Sequence, residues 1–145
     1  MTQSSWWAWA LASAVFAALT AIFGKVGVQD ISSDLATFIR TVVILLVLAL
    51  LLAATGQFRA PGPITPRTWT FLVLSGLATG ASWLCYYRAL KLGEAAKVAP
   101  IDKLSVVLVA VFGLAFLGER LGLRNWIGVG MVALGALLIA ARAPA

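Results

Sequence analysis

Six side chains in an otherwise apolar sequence could bind or move a small polar molecule. They are two basic residues, an acid, a hydroxyl and two aromatic rings: Arg40, Lys103, Asp102, Ser105, Trp83 and Tyr86. A carboxylate within an apolar stretch needs a partner, water or a proton, because an isolated charge in hydrocarbon is costly. Since no nucleophile–base arrangement or metal-ligand spacing accompanies these residues, we expect binding and proton transfer, not catalysis.

The elements that position these residues are five apolar stretches joined by polar connections. We predict spans at about 5–23, 35–54, 69–90, 96–117 and 125–142, because about 20 apolar residues cross a bilayer core of about 30 Å. The chain is 62% hydrophobic and 11% charged, with a mean hydropathy of +1.01. A soluble domain of this length could not bury so much apolar surface. The expected fold class is an all-α integral membrane protein, with five transmembrane helices in a single domain over residues 1–145.

Charge and composition exclude other classes of protein and site. The net charge is +6, but the basic residues lie at segment ends and not on one face, so we expect no nucleic-acid partner. There is no histidine, and Cys85 is the only cysteine. We therefore expect no Cys/His metal site, no internal disulfide and no cofactor.

Lysine and arginine are almost evenly divided between the two sides of the membrane. With the N-terminal side called X and the opposite side Y, Y receives Lys25, Arg88, Lys91, Lys97 and Arg142, and X receives Arg59, Arg67, Arg120 and Arg124. This is a weak orienting signal, which makes dual orientation a candidate. Arg40 and Lys103 lie near the Y ends and could extend to that interface, and counting them would favour Y in the cytoplasm.

Arg40 and Asp102 are expected at similar depths near side Y. Asp102 lies about six residues, or about 9 Å, inside its span. One hypothesis is an Arg40–Asp102 pair that joins two helices, with Lys103 reaching the headgroups. The other is a charged vestibule at the mouth of a polar cavity, and the two can coexist.

Aromatic and helix-breaking residues lie near the same end. Trp83 and Tyr86 are three residues apart, so they share a helical face, where they either anchor the interface or stack on a substrate. Pro100 predicts a kink or a late helix start just before Asp102. Ser105 follows Asp102 by three residues and could face the same space.

Several short motifs follow one another along the chain in a specific order and spacing. They are residues 87–101 (YRALKLGEAAKVAPI) at the junction of the third and fourth spans, then 117–121 (LGERL), 126–128 (WIG) and 133–135 (ALG). Phe23-Gly24-Lys25 after the first span and the single Arg40 of the second span belong to the same pattern. Together these motifs resemble the EamA-type domain of the drug/metabolite transporter superfamily, and the resemblance covers nearly the whole chain.

The resemblance implies a secondary transporter in a prokaryotic inner membrane. Common members carry two inverted five-helix repeats, whereas this chain is similar to one repeat, like the half-size bacterial and archaeal members. It would then pair with an inverted copy, as an antiparallel homodimer or with a sister chain. The expected activity is alternating-access transport of a small polar or amphipathic metabolite. The alternatives are an accessory membrane subunit or a component of a lipid-linked-sugar flippase.

Two further expectations concern the substrate and the coupling ion. The small multidrug-resistance proteins, which have a similar plan, bind cations through a glutamate in the first helix, but the first span here has no acid. The excess of Arg40 and Lys103 over Asp102 favours an anionic or zwitterionic substrate. Asp102 is also a candidate for proton coupling, since burial raises the pKa of a carboxyl group.

Overall fold

The computed structural model describes residues 5–58, 62 and 64–141, which form helices and short connections with no strand among them. The helices are α1 (Ser5–Gly27), α2 (Ser33–Ala54), α3 (Pro66–Leu92), α4 (Ala95–Asp102), α5 (Ser105–Phe112) and α6 (Leu123–Ala140), with a π-helical turn at Gly113–Leu117. Because α4, α5 and the π-helical turn together make one apolar stretch, Ala95–Leu117, five helical segments are long and apolar enough to cross a membrane. The predicted fold class is confirmed.

The helices extend further at the Y ends than the apolar stretches suggested. The first ends at Gly27, the second begins at Ser33 and the third ends at Leu92. Lys25, Asp34 and Lys91 therefore lie within terminal helical turns and not in connections. Arg59 and Arg142, which entered the charge count, lie outside the described residues.

Local capping explains where two of the spans begin. The Ser32 hydroxyl accepts a hydrogen bond of 3.2 Å from the Leu35 amide, which satisfies one of the free N–H groups at the start of α2. Helix α3 begins with Pro66, at the position where the missing N–H of proline costs no helical bond. The Thr65 hydroxyl just before it accepts from the Thr68 amide at 3.2 Å.

Threonine hydroxyls within the spans bond to their own helix. Thr37 donates to the Ser33 carbonyl at 2.8 Å, Thr41 to the Thr37 carbonyl at 2.7 Å, and Thr79 to the Ser75 carbonyl at 2.8 Å. In hydrocarbon an unsatisfied hydroxyl would be costly, so this bond to the carbonyl four residues earlier makes threonine tolerable there.

The fourth span is interrupted between α4 and α5. The Leu104 amide donates to Ile101 and the Val107 amide to Leu104, both at 3.0 Å, so the spacing of donor and acceptor falls from four residues to three. Pro100 lies inside α4, which begins at Ala95. The predicted late helix start is therefore wrong, because Glu94 and the residues after it already supply a regular first turn. Instead, the helix is interrupted after Asp102, with Lys103, three residues beyond Pro100, in the interruption.

The chain divides into two compact units. The first contains α1 up to Ala21 together with everything from Leu92 onward, and the second runs from Ile22 to Lys91. In the first unit α6 contacts both α4 and α5. In the second, the side chains of Val28 and Leu90 are fully buried and Tyr87 is only 5% exposed. The second unit thus has a small packed core at the ends of α1 and α3.

Most of the apolar surface of the spans is not covered by the described part of the chain. In each of the five spans, no more than 11% of the most apolar 18-residue window is buried, and in α3 the value is 0%. Glycines of the third and last spans, Gly76, Gly80, Gly128, Gly130 and Gly135, would meet no described atom within 4 Å if each carried a Cβ. These faces remain available to lipid or to another chain.

Candidate functional site

Arg40 lies against two aromatic rings of α3. Its guanidinium carbon is 3.7 Å from the ring centroid of Trp83 and 5.0 Å from that of Tyr87. Trp83 and Tyr87 are four residues apart, so they occupy one face of the helix. The side chains of Arg40 and Trp83 are both half-buried. A cation over an aromatic face is attracted by the negative electrostatic potential of that face, and the attraction is stronger where water is excluded.

Tyr87 is fixed in place by its neighbours. A Cβ at Gly24 would lie 2.8 Å from the Tyr87 hydroxyl oxygen and 3.1 Å from its Cζ, so only glycine allows α1 to lie this close to the ring. The half-buried Tyr86 ring makes an edge contact with Tyr87, with 6.3 Å between ring centroids. The second ring beside Arg40 is therefore a buried and restrained one.

Arg88, the residue after Tyr87, has a carboxylate partner. Arg88 donates from Nε to Oδ1 of Asp34 at 3.0 Å and from Nη2 to Oδ2 at 2.9 Å. This two-bond geometry is the preferred one between a guanidinium and a carboxylate. Asp34 and Arg40 are six residues apart on α2, and the carboxylate is committed to Arg88. Arg40 has no hydrogen bond or ion pair within the described part of residues 22–91.

Two lysines in the last turns of helices bond to backbone carbonyls of neighbouring segments. Lys25 Nζ donates to the Leu90 carbonyl at 2.7 Å, and Lys91 Nζ donates to the Ile31 carbonyl at 2.5 Å. The Leu90 carbonyl lies in the last turn of α3, where carbonyls lack intrahelical partners. A cation near the end of a helix also interacts favourably with the helix dipole. These lysines hold α1, α3 and the connection before α2 together.

Three predicted site residues lie at the interruption of the fourth span. Asp102 ends α4, Lys103 lies in the interruption and Ser105 begins α5. Lys103 Nζ is 3.2 Å from Oδ2 of Asp102, and these side chains are 55% and 35% exposed. Ser105 is also exposed. A carboxylate, an ammonium and a hydroxyl thus share a short segment where the helix is irregular.

The structure brings two of the predicted site residues together, and it does not test one predicted pair. Arg40 and Trp83 meet directly, whereas the second ring at Arg40 is Tyr87 and not Tyr86. Tyr87 is not among the site residues predicted from the sequence, although its spacing of four from Trp83 is a usable signal. Arg40 and Asp102 belong to different compact units, and their pairing stays a prediction.

Comparison with known proteins identifies the family. The model of the EamA-like transporter family matches residues 4–141. A Sinorhizobium protein named "Uncharacterized transporter in cobO 3'region" is 68% identical over 138 residues, which are 95% of this chain and 98% of that protein. No solved structure is significantly similar to the chain. The chain belongs to the EamA-like transporter family, and its role is that of a membrane transporter.

Proposed function

We propose that the protein is a secondary transporter of a small polar or amphipathic metabolite in a prokaryotic inner membrane. It works by alternating access as an antiparallel homodimer. Family membership and the name of the Sinorhizobium relative support transport. The match covers 98% of that relative, so that protein has the length of one domain of this kind.

The exposure of the span surfaces carries the proposal that a second copy is needed. No apolar window is more than 11% buried, although the spans carry charged residues such as Arg40 and Asp102. A polar route through a bilayer must be enclosed by protein, since polar groups that face hydrocarbon are costly. A second five-helix domain packed on these faces supplies the enclosure, and the glycine-containing faces of the third and last spans allow helices to approach closely.

The inverted arrangement is supported by the number of crossings and by the distribution of basic residues. Five crossings place the chain ends on opposite sides, and the count of five basic residues on side Y against four on side X barely favours either orientation. Transporters built from two inverted halves place their substrate site between the halves near the midplane, and rocking of the halves exposes it alternately. Two oppositely inserted copies of this chain reproduce that symmetry.

Reconstitution of the purified chain alone into liposomes tests the proposal. We expect uptake of at least one member of a small-metabolite library above the uptake of protein-free liposomes. Uptake without any other protein contradicts a purely accessory role. Uptake that appears only when a sister chain is co-reconstituted, or only for lipid-linked sugars, would reject the homodimeric metabolite transporter in favour of the alternatives.

A further inference from the structure

We propose that Arg40 binds the carboxylate of a monovalent organic anion, with Trp83 and Tyr87 holding the guanidinium in position for it. The inference rests on the proposed transport function and names the class of its substrate. Arg40 is the substrate-binding residue, and the two rings are positioning residues.

The partners of the neighbouring basic side chains single Arg40 out. Arg88 is paired through two hydrogen bonds with the two oxygens of Asp34, and Lys25 and Lys91 donate to carbonyl oxygens. A guanidinium has five N–H donors, and an aromatic face attracts its charge without supplying an oxygen acceptor. The donors of Arg40 therefore lack an oxygen partner within the described part of residues 22–91.

The position of Arg40 favours a substrate over a lipid headgroup. Arg40 is seven residues beyond Ser33, the first residue of α2, which places it about 10 Å along the helix. An arginine that extends to the headgroups lies along the surface with its charged end in water. Here the charged end lies 3.7 Å from the centroid of the half-buried Trp83 ring, so its direction is set by α3.

The chemistry of the site selects a carboxylate with one negative charge. A planar guanidinium fits the two oxygens of a carboxylate with two parallel N–H bonds. A doubly charged phosphate ester would call for a second cation beside Arg40, but Arg88 is paired with Asp34, and the Nζ groups of Lys25 and Lys91 donate to backbone carbonyls.

Binding in detergent gives a test that does not depend on transport. The protein in maltoside, which contains no phosphate, is titrated calorimetrically with acetate, butyrate, benzoate and 3-phenylpropionate and with the matching uncharged amides. We expect at least one carboxylate to bind about tenfold to a hundredfold more tightly than its amide, as a charge-assisted double hydrogen bond provides. Equal affinities for every acid and its amide overturn the proposal.

Variants locate the binding to Arg40. Arg40→Gln should remove the preference for the acid, and Arg40→Lys, which keeps the charge and loses the planar fork, should leave a small part of it. Arg124→Gln, at the start of α6, is the matched control and should bind like wild type. Trp83→Ala should weaken acid binding by less than Arg40→Gln, and Trp83→Phe should restore it because a ring is again present. A preference for acids that survives Arg40→Gln in a folded protein overturns the proposal.

Two further binding measurements test the competing partners of Arg40, which are Asp102 and a lipid phosphate. If Asp102 neutralises Arg40, the wild type should bind no carboxylate and Asp102→Asn should gain binding, which contradicts the proposal. If a lipid phosphate is the partner, phosphatidylglycerol added to the detergent should bind in an Arg40-dependent manner while the carboxylates do not, which also contradicts it.

Flux measurements separate failure of the site from failure of the function. Arg40-dependent carboxylate binding without flux in liposomes rejects the transporter and keeps the site. Flux of a neutral or cationic compound that is equal in wild type and Arg40→Gln rejects the site and keeps the transporter.

Discussion

At the scale of single residues, Gly24 determines how closely α1 approaches the tyrosine beside Arg40. A Cβ on Gly24 would stand 2.8 Å from the hydroxyl oxygen of Tyr87 and 3.4 Å from Cδ1 of Leu90. Both side chains are buried, at 5% and 0% exposure, so neither can move aside easily. The contact links a small residue on α1 to the orientation of a ring that faces Arg40.

We predict that Gly24→Ala lowers the stability of the protein by about 1–3 kcal/mol, as overpacking of a close contact does. Gly27→Ala is the control, because the same helix carries it and its added Cβ meets no described atom within 4 Å. Thermal unfolding of the purified proteins in detergent measures both. Equal midpoints for the two variants would show that the contact with Tyr87 adapts without cost.

At the scale of elements, the interruption of the fourth span fixes the relative placement of Asp102 and Ser105. Pro100 has no N–H, so the Ala96 carbonyl cannot accept the bond that a regular helix would give it. The Lys103 amide is shared between the carbonyls of Ala99 at 3.3 Å and Pro100 at 3.1 Å. The helix is therefore more tightly wound just before the interruption, which changes the direction of the residues after it relative to α4.

We predict that Pro100→Ala makes the protein more stable to heat and slows uptake several-fold. The new N–H completes a helical bond, while a more regular helix moves Asp102 relative to Ser105. Pro66→Ala is the control, because at the first position of α3 the missing N–H costs no helical bond. Unfolding midpoints and initial uptake rates test the prediction, and an unchanged uptake rate in Pro100→Ala would contradict it.

A second prediction at this scale concerns proton coupling. If Asp102 carries the proton, Asp102→Asn should abolish uptake driven by a pH gradient and preserve exchange of labelled for unlabelled substrate, because exchange needs no net proton movement. Asp30→Asn, in the exposed turn between α1 and α2, should behave like wild type. Gradient-driven uptake that persists in Asp102→Asn assigns the coupling elsewhere.

At the scale of the whole molecule, the described residues leave most of the apolar surface of the spans exposed. The third span has none of its most apolar window buried, and the glycines of the third and last spans meet no described atom where a Cβ would be. Since helix association in membranes depends on close packing, these faces suit contact with a second copy.

We predict both orientations of the chain in one membrane. Reporter fusions at the C-terminus should show cytoplasmic and external populations, because five basic residues on side Y against four on side X give little bias. Two lysines added to the connection between α2 and α3 should bias the orientation and reduce uptake, and an oppositely biased copy should restore it. A single orientation of the wild type, with no sister chain to complement it, would contradict the homodimer.

Much of the fold could be predicted from composition and segment length alone. Five apolar stretches of about 20 residues require helices in a bilayer, because every backbone polar group must be bonded within its own segment. The predicted helix ends were less accurate near Lys25, Asp34 and Lys91, which lie in terminal helical turns and bond to neighbouring elements. Such bonds between distant residues leave no mark in local hydropathy.

The sequence by itself determined which residues are polar within the spans and at which end they lie. Arg40, Trp83 and Asp102 were found in this way, since a charge or an indole ring in an apolar stretch is conspicuous. Only the tertiary structure decided that Asp34 pairs with Arg88, that Tyr87 and not Tyr86 lies beside Arg40, and that Gly24 makes room for that ring. The physical reason is that hydropathy records depth along a helix, whereas partners depend on the rotation of each helix about its axis, and packing sets that rotation.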